Sequence, residues 1–155
     1  MVIGIISDTH GRVPVEVHKY FEHVDQIIHA GDIGNKHVIT ELETIAPVIA
    51  VYGNIDVYPL ISEYERIRFF SLENKRFCLT HIISTPKAFS YELFKINREV
   101  NVAIFGHTHI AEKSEYNNIL FVNPGSASHP KYGKQRSVAL MELTERHLDV
   151  HFIYF

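Results

Sequence analysis

Apolar residues along this chain fall in short runs that stop abruptly at polar side chains. Val2–Ser7, rich in β-branched residues, predicts a buried strand, and it ends at Asp8-Thr9-His10-Gly11. Pro14 opens a helix to about Glu22, since proline is tolerated in a first turn. Asp25–His29 predicts a second strand, Asn35 caps a helix reaching about Thr44, and Pro47–Tyr52 predicts a third strand. Such a β-α-β-α-β opening implies parallel strands joined by right-handed crossovers. Further on, Glu65–Leu72 and Arg76–Thr80 predict a hairpin turning at Glu73-Asn74. Pro86–Arg98 predicts an amphipathic helix and Val102–Phe105 a strand. Ile110–Tyr116 and Ile119–Val122 pair around Asn117-Asn118, residues that tolerate the positive φ of a tight hairpin. Ser137–Leu143 and His147–Tyr154 form a last hairpin. The class is α/β, parallel first and then increasingly antiparallel, which two sheets packed face to face with helices outside would accommodate.

The length, 155 residues, suits one domain over 1–155 with a core that needs no staples. Hydrophobic content of 46% and charged content of 21% are those of a soluble globular protein. The single cysteine, Cys78, excludes an internal disulfide, agrees with a reducing, cytoplasmic compartment, and reads as a buried inert thiol inside a strand. The opening MVIGIISD reads as a first strand rather than a signal peptide. No apolar run approaches the roughly 18 residues of a membrane helix. With net charge −3 and basic residues scattered, nothing advertises a long nucleic-acid partner.

Histidine stands out, with 11 copies, and the ends of the apolar runs show why. Asp8, His10, Asp32, Asn54, His81, His107 and His109 all lie just beyond predicted strands. Ligands in open α/β folds bind beyond the carboxyl ends of parallel strands, so these dispersed side chains can converge. Glycines adjoin several of them: Gly11, Gly31, Gly34, Gly53 and Gly106. In an extended segment residues i and i+2 point the same way, so Asp8 with His10, and His107 with His109, each aim two donors at one spot. Thr9 and Thr108 then face away. Carboxylate, amide and imidazole donors without thiolate suit divalent ions such as Mn²⁺, Fe²⁺, Ni²⁺ or Zn²⁺. Seven donors exceed the needs of one ion and fit two sharing a carboxylate.

The order D-x-H, G-D, G-N, H, G-H-x-H resembles that of the calcineurin-like metallophosphoesterase superfamily. Short length, "SDTHG", "GNID" and "NPGS" (Asn123–Ser126) make the chain similar to its small single-domain, YfcE-like phosphodiesterase branch, from Ile3 to about Ser128. The resemblance implies a four-layer αββα sandwich, two mixed β-sheets packed face to face with flanking helices. It assigns Asp8, His10, Asp32 and His109 to one divalent metal ion and Asp32, Asn54, His81 and His107 to a second, with Asp32 bridging. Mn²⁺ stands first among the metals, with Ni²⁺, Fe²⁺, Co²⁺ and Zn²⁺ as alternatives. The implied reaction is hydrolysis of a small phosphodiester by a metal-bridging hydroxide, with Asp32, Asn54 and His81 acting through it and no separate general acid.

Two departures matter. Many superfamily members follow G-N with a histidine, where this chain has Ile55, and the usual "HGH" is "HII", with Ile82 and Ile83 after His81. Ile55 cannot protonate a leaving group, so substrates with good leaving groups are expected. By charge, two divalent ions less Asp8, Asp32 and a hydroxide leave about +1, which a monoanionic diester neutralises and a dianionic monoester overshoots. No further Arg or His in the motifs would absorb the excess.

The remaining histidines have ordinary readings. His18, His23 and His37 sit on or beside polar helix faces, and His147 and His151 alternate on an outer strand. His29 packs or hydrogen-bonds near a strand end, while His129, after the "NPGS" loop, could border the pocket. Asn123 and Ser126 shape a turn, and Asp56 orients Asn54. Phe69, Phe70 and Phe152–Phe155 face the core rather than a homo-oligomer interface. A competing reading is an interaction scaffold, because the retromer subunit resembles the same small phosphoesterases; retention of all seven donors argues against it.

Overall fold

Alternation along β1 (Val2–Ile6) separates two cores: Ile3 and Ile5 face one apolar cluster and Ile6 another. The computed structural model describes residues 1–155. After β1 come α1 (Val15–Phe21), β2 (Gln26–His29), α2 (Lys36–Glu43), β3 (Val48–Ala50) and a single turn of helix, α3 (Leu60–Glu63). The chain continues through β4 (Ile67–Leu72), β5 (Lys75–Thr80), α4 (Pro86–Lys95), β6 (Val102–Ile104), β7 (Ala111–Tyr116), β8 (Ile119–Pro124), β9 (Ser137–Leu143) and β10 (Leu148–Tyr154). Two five-stranded sheets result, ordered β10-β9-β1-β2-β3 and β4-β5-β6-β8-β7. Each mixes parallel and antiparallel pairs.

The cores show how the layers stack. Ile3, Ile5 and Ile28 of the first sheet meet Phe77, Leu79, Val102 and Ile104 of the second in a fully apolar interface. Val17 and Phe21 of α1, with Val38, Ile39 and Leu42 of α2, cover the outer face of the first sheet against Ile6 and Ile27. Phe89 and Leu93 of α4 cover the second sheet against Cys78, Ala103 and Phe121. The order is thus helices, sheet, sheet, helix: the expected α/β sandwich. Phe69 and Phe70 pack on these clusters, as do Phe152, Ile153 and Phe155, while Tyr154 is exposed. Cys78 is a buried thiol whose pKa burial pushes up to about 12.

Element ends shift by a residue or two from expectation, and α3 lay outside it. Helix α1 begins after Pro14, α2 is capped by the Asn35 side chain accepting from Val38 N–H, and Thr85 caps α4 in the same way. Helix α4 stops at Lys95, three residues short of Arg98. Asn97 there adopts a positive φ and Arg98 N–H returns to the Leu93 carbonyl, the closure of a helix C-terminus. No helix is long and apolar enough to cross a membrane.

Candidate metal centre

Strands β1, β2 and β3 run parallel, as do β5 and β6, so their carboxyl ends lie at one edge of the sandwich. Asp8 and His10 follow β1, Asp32 follows β2, Asn54 follows β3, His81 follows β5, and His107 and His109 follow β6.

The local backbone differs from the extended pairs expected for "DTH" and "HTH". Asp8, His10, Asp32, His107 and His109 all have positive φ, between 48° and 68°. Each of these five is aimed by a left-handed turn, which costs an L-residue about 1–2 kcal/mol. Such strain persists only where surroundings over-determine it, and here they do. Asp8, His10 and Gly11 donate their N–H groups to the carbonyls of Gly31, Asp32 and Ile33, locking the first two loops together. Ser126 and Ser128 hydroxyls both donate to the Asp8 carbonyl, at 3.0 and 2.8 Å. The Asn123 amide donates to Gly106 O and Thr108 Oγ1, both at 2.9 Å. Two glycines are needed for close approach. A Cβ on Gly53 would overlap the Asp32 carboxylate, and one on Gly106 would overlap Ser7 Oγ.

Thr9 does face away, and the reason is specific. Its hydroxyl meets His29 Nε2 at 2.9 Å and donates to the Ile33 carbonyl at 3.0 Å. Gly31 N–H donates to His29 Nδ1, so the proton of this fully buried imidazole sits on Nε2 and points at Thr9. Burial lowers the His29 pKa to about 3.

All seven candidate donors come together. One ligand atom each from Asp8, His10, Asp32 and His109 lies within 4.8 Å of the others. His109 Nε2 is 3.0 Å from Asp8 Oδ1, and His10 Nε2 is 3.9 Å from both Asp8 Oδ1 and Asp32 Oδ2. On the other side of Asp32, His81 Nε2 lies 3.2 Å from Oδ1. Asn54 Oδ1 faces His107 Nδ1 at 2.9 Å, and the His81 and His107 rings meet edge-on at 5.4 Å. Three buried atoms in this group, Asp8 Oδ1, His10 Nε2 and His81 Nε2, have no hydrogen-bond partner. Buried polar atoms are rarely left so. For these three atoms, close approach without hydrogen-bond alignment is the arrangement of donors aimed at a shared cation, whereas Asn54 Oδ1 and His107 Nδ1 hydrogen-bond each other.

The outer contacts fit the same purpose. His81 Nδ1 faces the Ala30 carbonyl at 2.7 Å, and His109 Nδ1 faces the His129 carbonyl. A carbonyl only accepts, so each Nδ1 carries the proton and Nε2 turns a lone pair inward, as in carbonyl-oriented metal histidines. Asp8 Oδ2 accepts from Ser7 Oγ and His107 N–H, leaving Oδ1 free. Asp56 makes no hydrogen bond to Asn54. Its carboxylate accepts from the N–H groups of Ile33, Gly34 and Gly53, at 3.0, 2.7 and 2.7 Å, and so ties the Asp32 loop to the Asn54 loop through their backbones.

Protonation follows from this crowding. Burial pushes Asp8 up, but contact with His109 and the nearby His81 outweigh it, and its pKa lies below the usual value. Asp32 behaves alike, burial being overcome chiefly by His81. Burial lowers His81, yet Asp32 and Asp8 together raise it overall, while Asp8 raises His109. His10 and His107 are lowered, mainly by burial.

The rim holds residues that the motifs did not show as part of the site. The His129 ring lies 4.8 Å from that of His10, so this histidine does border the site. Lys131 is close enough to lower both His107 and His109. Positive charge is therefore present beyond the motifs, although Lys131 is exposed and its charge is screened. Ile83 packs on the core beneath α4, whereas Ile55 and Ile82 stay 41% and 42% exposed. The signal for Ser7, Ser128 and Asp56 was only their adjacency to donor-bearing segments.

A family model described as "Calcineurin-like phosphoesterase superfamily domain" matches residues 1–146. A probable metallophosphoesterase of Methanothermobacter thermautotrophicus is 36% identical over 160 residues, covering 99% of this chain and 92% of that protein. A phosphodiesterase of Methanocaldococcus jannaschii is 32% identical over 142 residues, covering 81% of this chain and 83% of that protein. Among solved structures, Vps29 of Chaetomium thermophilum superposes with a TM-score of 0.80 at 19% identity, covering 99% of this chain and 97% of that one; this likeness is one of fold.

Proposed function

This chain belongs to the calcineurin-like phosphoesterase superfamily, and we propose that it is a dinuclear metal-dependent phosphodiesterase acting on small phosphodiesters. The observation that carries the reading is the Asp32 carboxylate, whose Oδ2 faces His10 Nε2 at 3.9 Å while its Oδ1 faces His81 Nε2 at 3.2 Å. With one oxygen toward each donor group, Asp32 would be placed to serve both cations. Asp8, His10, Asp32 and His109 would hold one divalent cation and Asp32, Asn54, His81 and His107 the other. Mn²⁺ is the first candidate for oxygen and imidazole donors, followed by Ni²⁺, Fe²⁺, Co²⁺ and Zn²⁺. When bound, such a pair lowers the pKa of water and polarises phosphoryl oxygens.

The chain's own part is electrostatic and positional. Asp8 and Asp32 stay ionised at neutral pH, since their pKa values lie below the ordinary carboxylate range. The Ala30 and His129 carbonyls keep the lone pairs of His81 and His109 directed inward. No acid stands at position 55, so leaving-group protonation is weak and good leaving groups are favoured. Lys131 adds rim charge, so the diester preference leans on the phosphodiesterase relative as well as on charge within the donor set. The whole of 1–155 acts as one domain, and a lone buried Cys78 with no disulfide suits the cytoplasm. The likeness to Vps29 is compatible with an interaction scaffold, but the complete donor set favours catalysis.

Purified protein loaded with Mn²⁺ is expected to hydrolyse bis(p-nitrophenyl) phosphate faster than p-nitrophenyl phosphate, and Asp32→Ala to abolish both. A clear monoester preference would refute the diesterase assignment. Full activity in Asp32→Ala would refute the metal centre.

A further inference from the structure

The mouth of the centre is chemically lopsided. On the His10 side stands His129, and Lys131 acts on His107 and His109 alike; on the Asn54 and His81 side the first residues beyond the donors are both isoleucines. Ile55 N–H donates to Asp32 Oδ1 at 3.1 Å, which seats this residue against the carboxylate shared by the two donor groups. Ile82 follows His81 directly, and the His81 ring lies against Gly53, so the two segments adjoin. Both isoleucines keep about two-fifths of their surface in water, whereas Ile83 packs on the core.

The apolar character continues outward from Ile55. In Ile55–Ile61 the exposed side chains are Ile55, Val57, Tyr58 and Ile61. Asp56, the one charged residue of the stretch, is buried and accepts three backbone N–H groups, so it offers no charge to solvent. Loop tips are ordinarily polar, and an exposed apolar cluster continuous with a polar, metal-capable centre marks a ligand-contacting surface. A diester has an ester arm on each side of phosphorus, and the exposed apolar run beginning at Ile55 lies beside the carboxylate that both donor groups share.

We propose that Ile55 and Ile82, extended by Val57, Tyr58 and Ile61, form a subsite for an apolar, aromatic ester arm, so that this protein selects aryl-type phosphodiesters over small hydrophilic ones. The proposal rests on the phosphodiesterase reading for its chemistry, but it can be read by binding alone. Diphenyl phosphate and dimethyl phosphate carry the same single charge and differ only in their arms. Calorimetric titration into the Mn²⁺-loaded protein is expected to show diphenyl phosphate binding at least about tenfold more tightly, the discrimination that small apolar pockets achieve. In Ile55→Ser, Ile82→Ser and the double variant, the ratio of the two affinities, read within each protein, should fall stepwise toward one. Circular dichroism and Mn²⁺ titration of each variant show that fold and metal binding remain.

Equal binding of the two phosphates by the wild type would overturn the subsite, as would a ratio that survives the double variant. Self-association by sedimentation that the double variant abolishes, with no change in the ratio, would assign the wall to a second copy of the chain and overturn it too. A ratio that behaves as expected in a protein that cleaves no diester with any of the five metals supports the subsite and defeats the phosphodiesterase reading alone.

Discussion

His29 shows how far one buried side chain can steer the response to pH. It is fully buried, holds its proton on Nε2, and has its pKa lowered to about 3 by burial. The unfolded chain takes up that proton near 6.5. Between 6.5 and 3 the unfolded state binds more protons, so stability rises with pH through this window and is lost as pH falls through it. At about 1.4 kcal/mol per pKa unit, the loss is on the order of 4–5 kcal/mol. In metal-free protein, urea unfolding of His29→Gln against wild type at pH 7, 5 and 4 should show the wild-type advantage shrinking or reversing as pH falls. A constant difference would show that His29 does not carry the acid sensitivity. At this scale the seven candidate donors, which the structure brings together, were legible from "SDTHG", "AGD", "GN", "THI" and "GHTH". Their backbone was not: positive φ at five non-glycine residues depends on hydrogen bonds from distant loops, Ser126 and Ser128 among them.

Among the elements, the informative contact is the one that ties loops together. Asp56 joins the loop after β2 to the loop after β3 through three N–H groups. Asn at this position has a single acceptor oxygen and would set an NH₂ group against a donor. Asp56→Asn should therefore lower stability by about 1–3 kcal/mol in urea unfolding. Mn²⁺ affinity, followed by calorimetry, should fall by about 10–100-fold. Unchanged affinity would mean that each loop holds its donor unaided. Most elements could be read from periodicity because their faces are simple: Ile3 and Ile5 inward, Phe77 and Leu79 inward with Cys78 outward. Helix α3 escaped because one turn is too short to show a period, and α4 ended early because its C-terminus closes by local hydrogen bonds.

For the molecule as a whole, buried donor atoms without hydrogen-bond partners are held close together, so cation binding should act on global stability. A cation at 100 times its dissociation constant adds about 2.7 kcal/mol. For a chain of this size that is a rise in Tm of roughly 5–10 °C. Differential scanning calorimetry with and without Mn²⁺ should show the rise, chelator should reverse it, and Asp32→Ala should lack it. No shift in the wild type would contradict a built metal site. By itself the sequence determined the α/β class, nearly every strand, the family and a set of candidate donors, because strand periodicity and donor chemistry are local properties of a few adjacent residues. Tertiary structure alone decided how the two sheets meet, which oxygen of Asp32 faces which histidine, and what lines the mouth. Those depend on residues such as Asp56, His129 and Ile82, brought together from strand ends far apart in the chain, and no short window of sequence contains the distances between them.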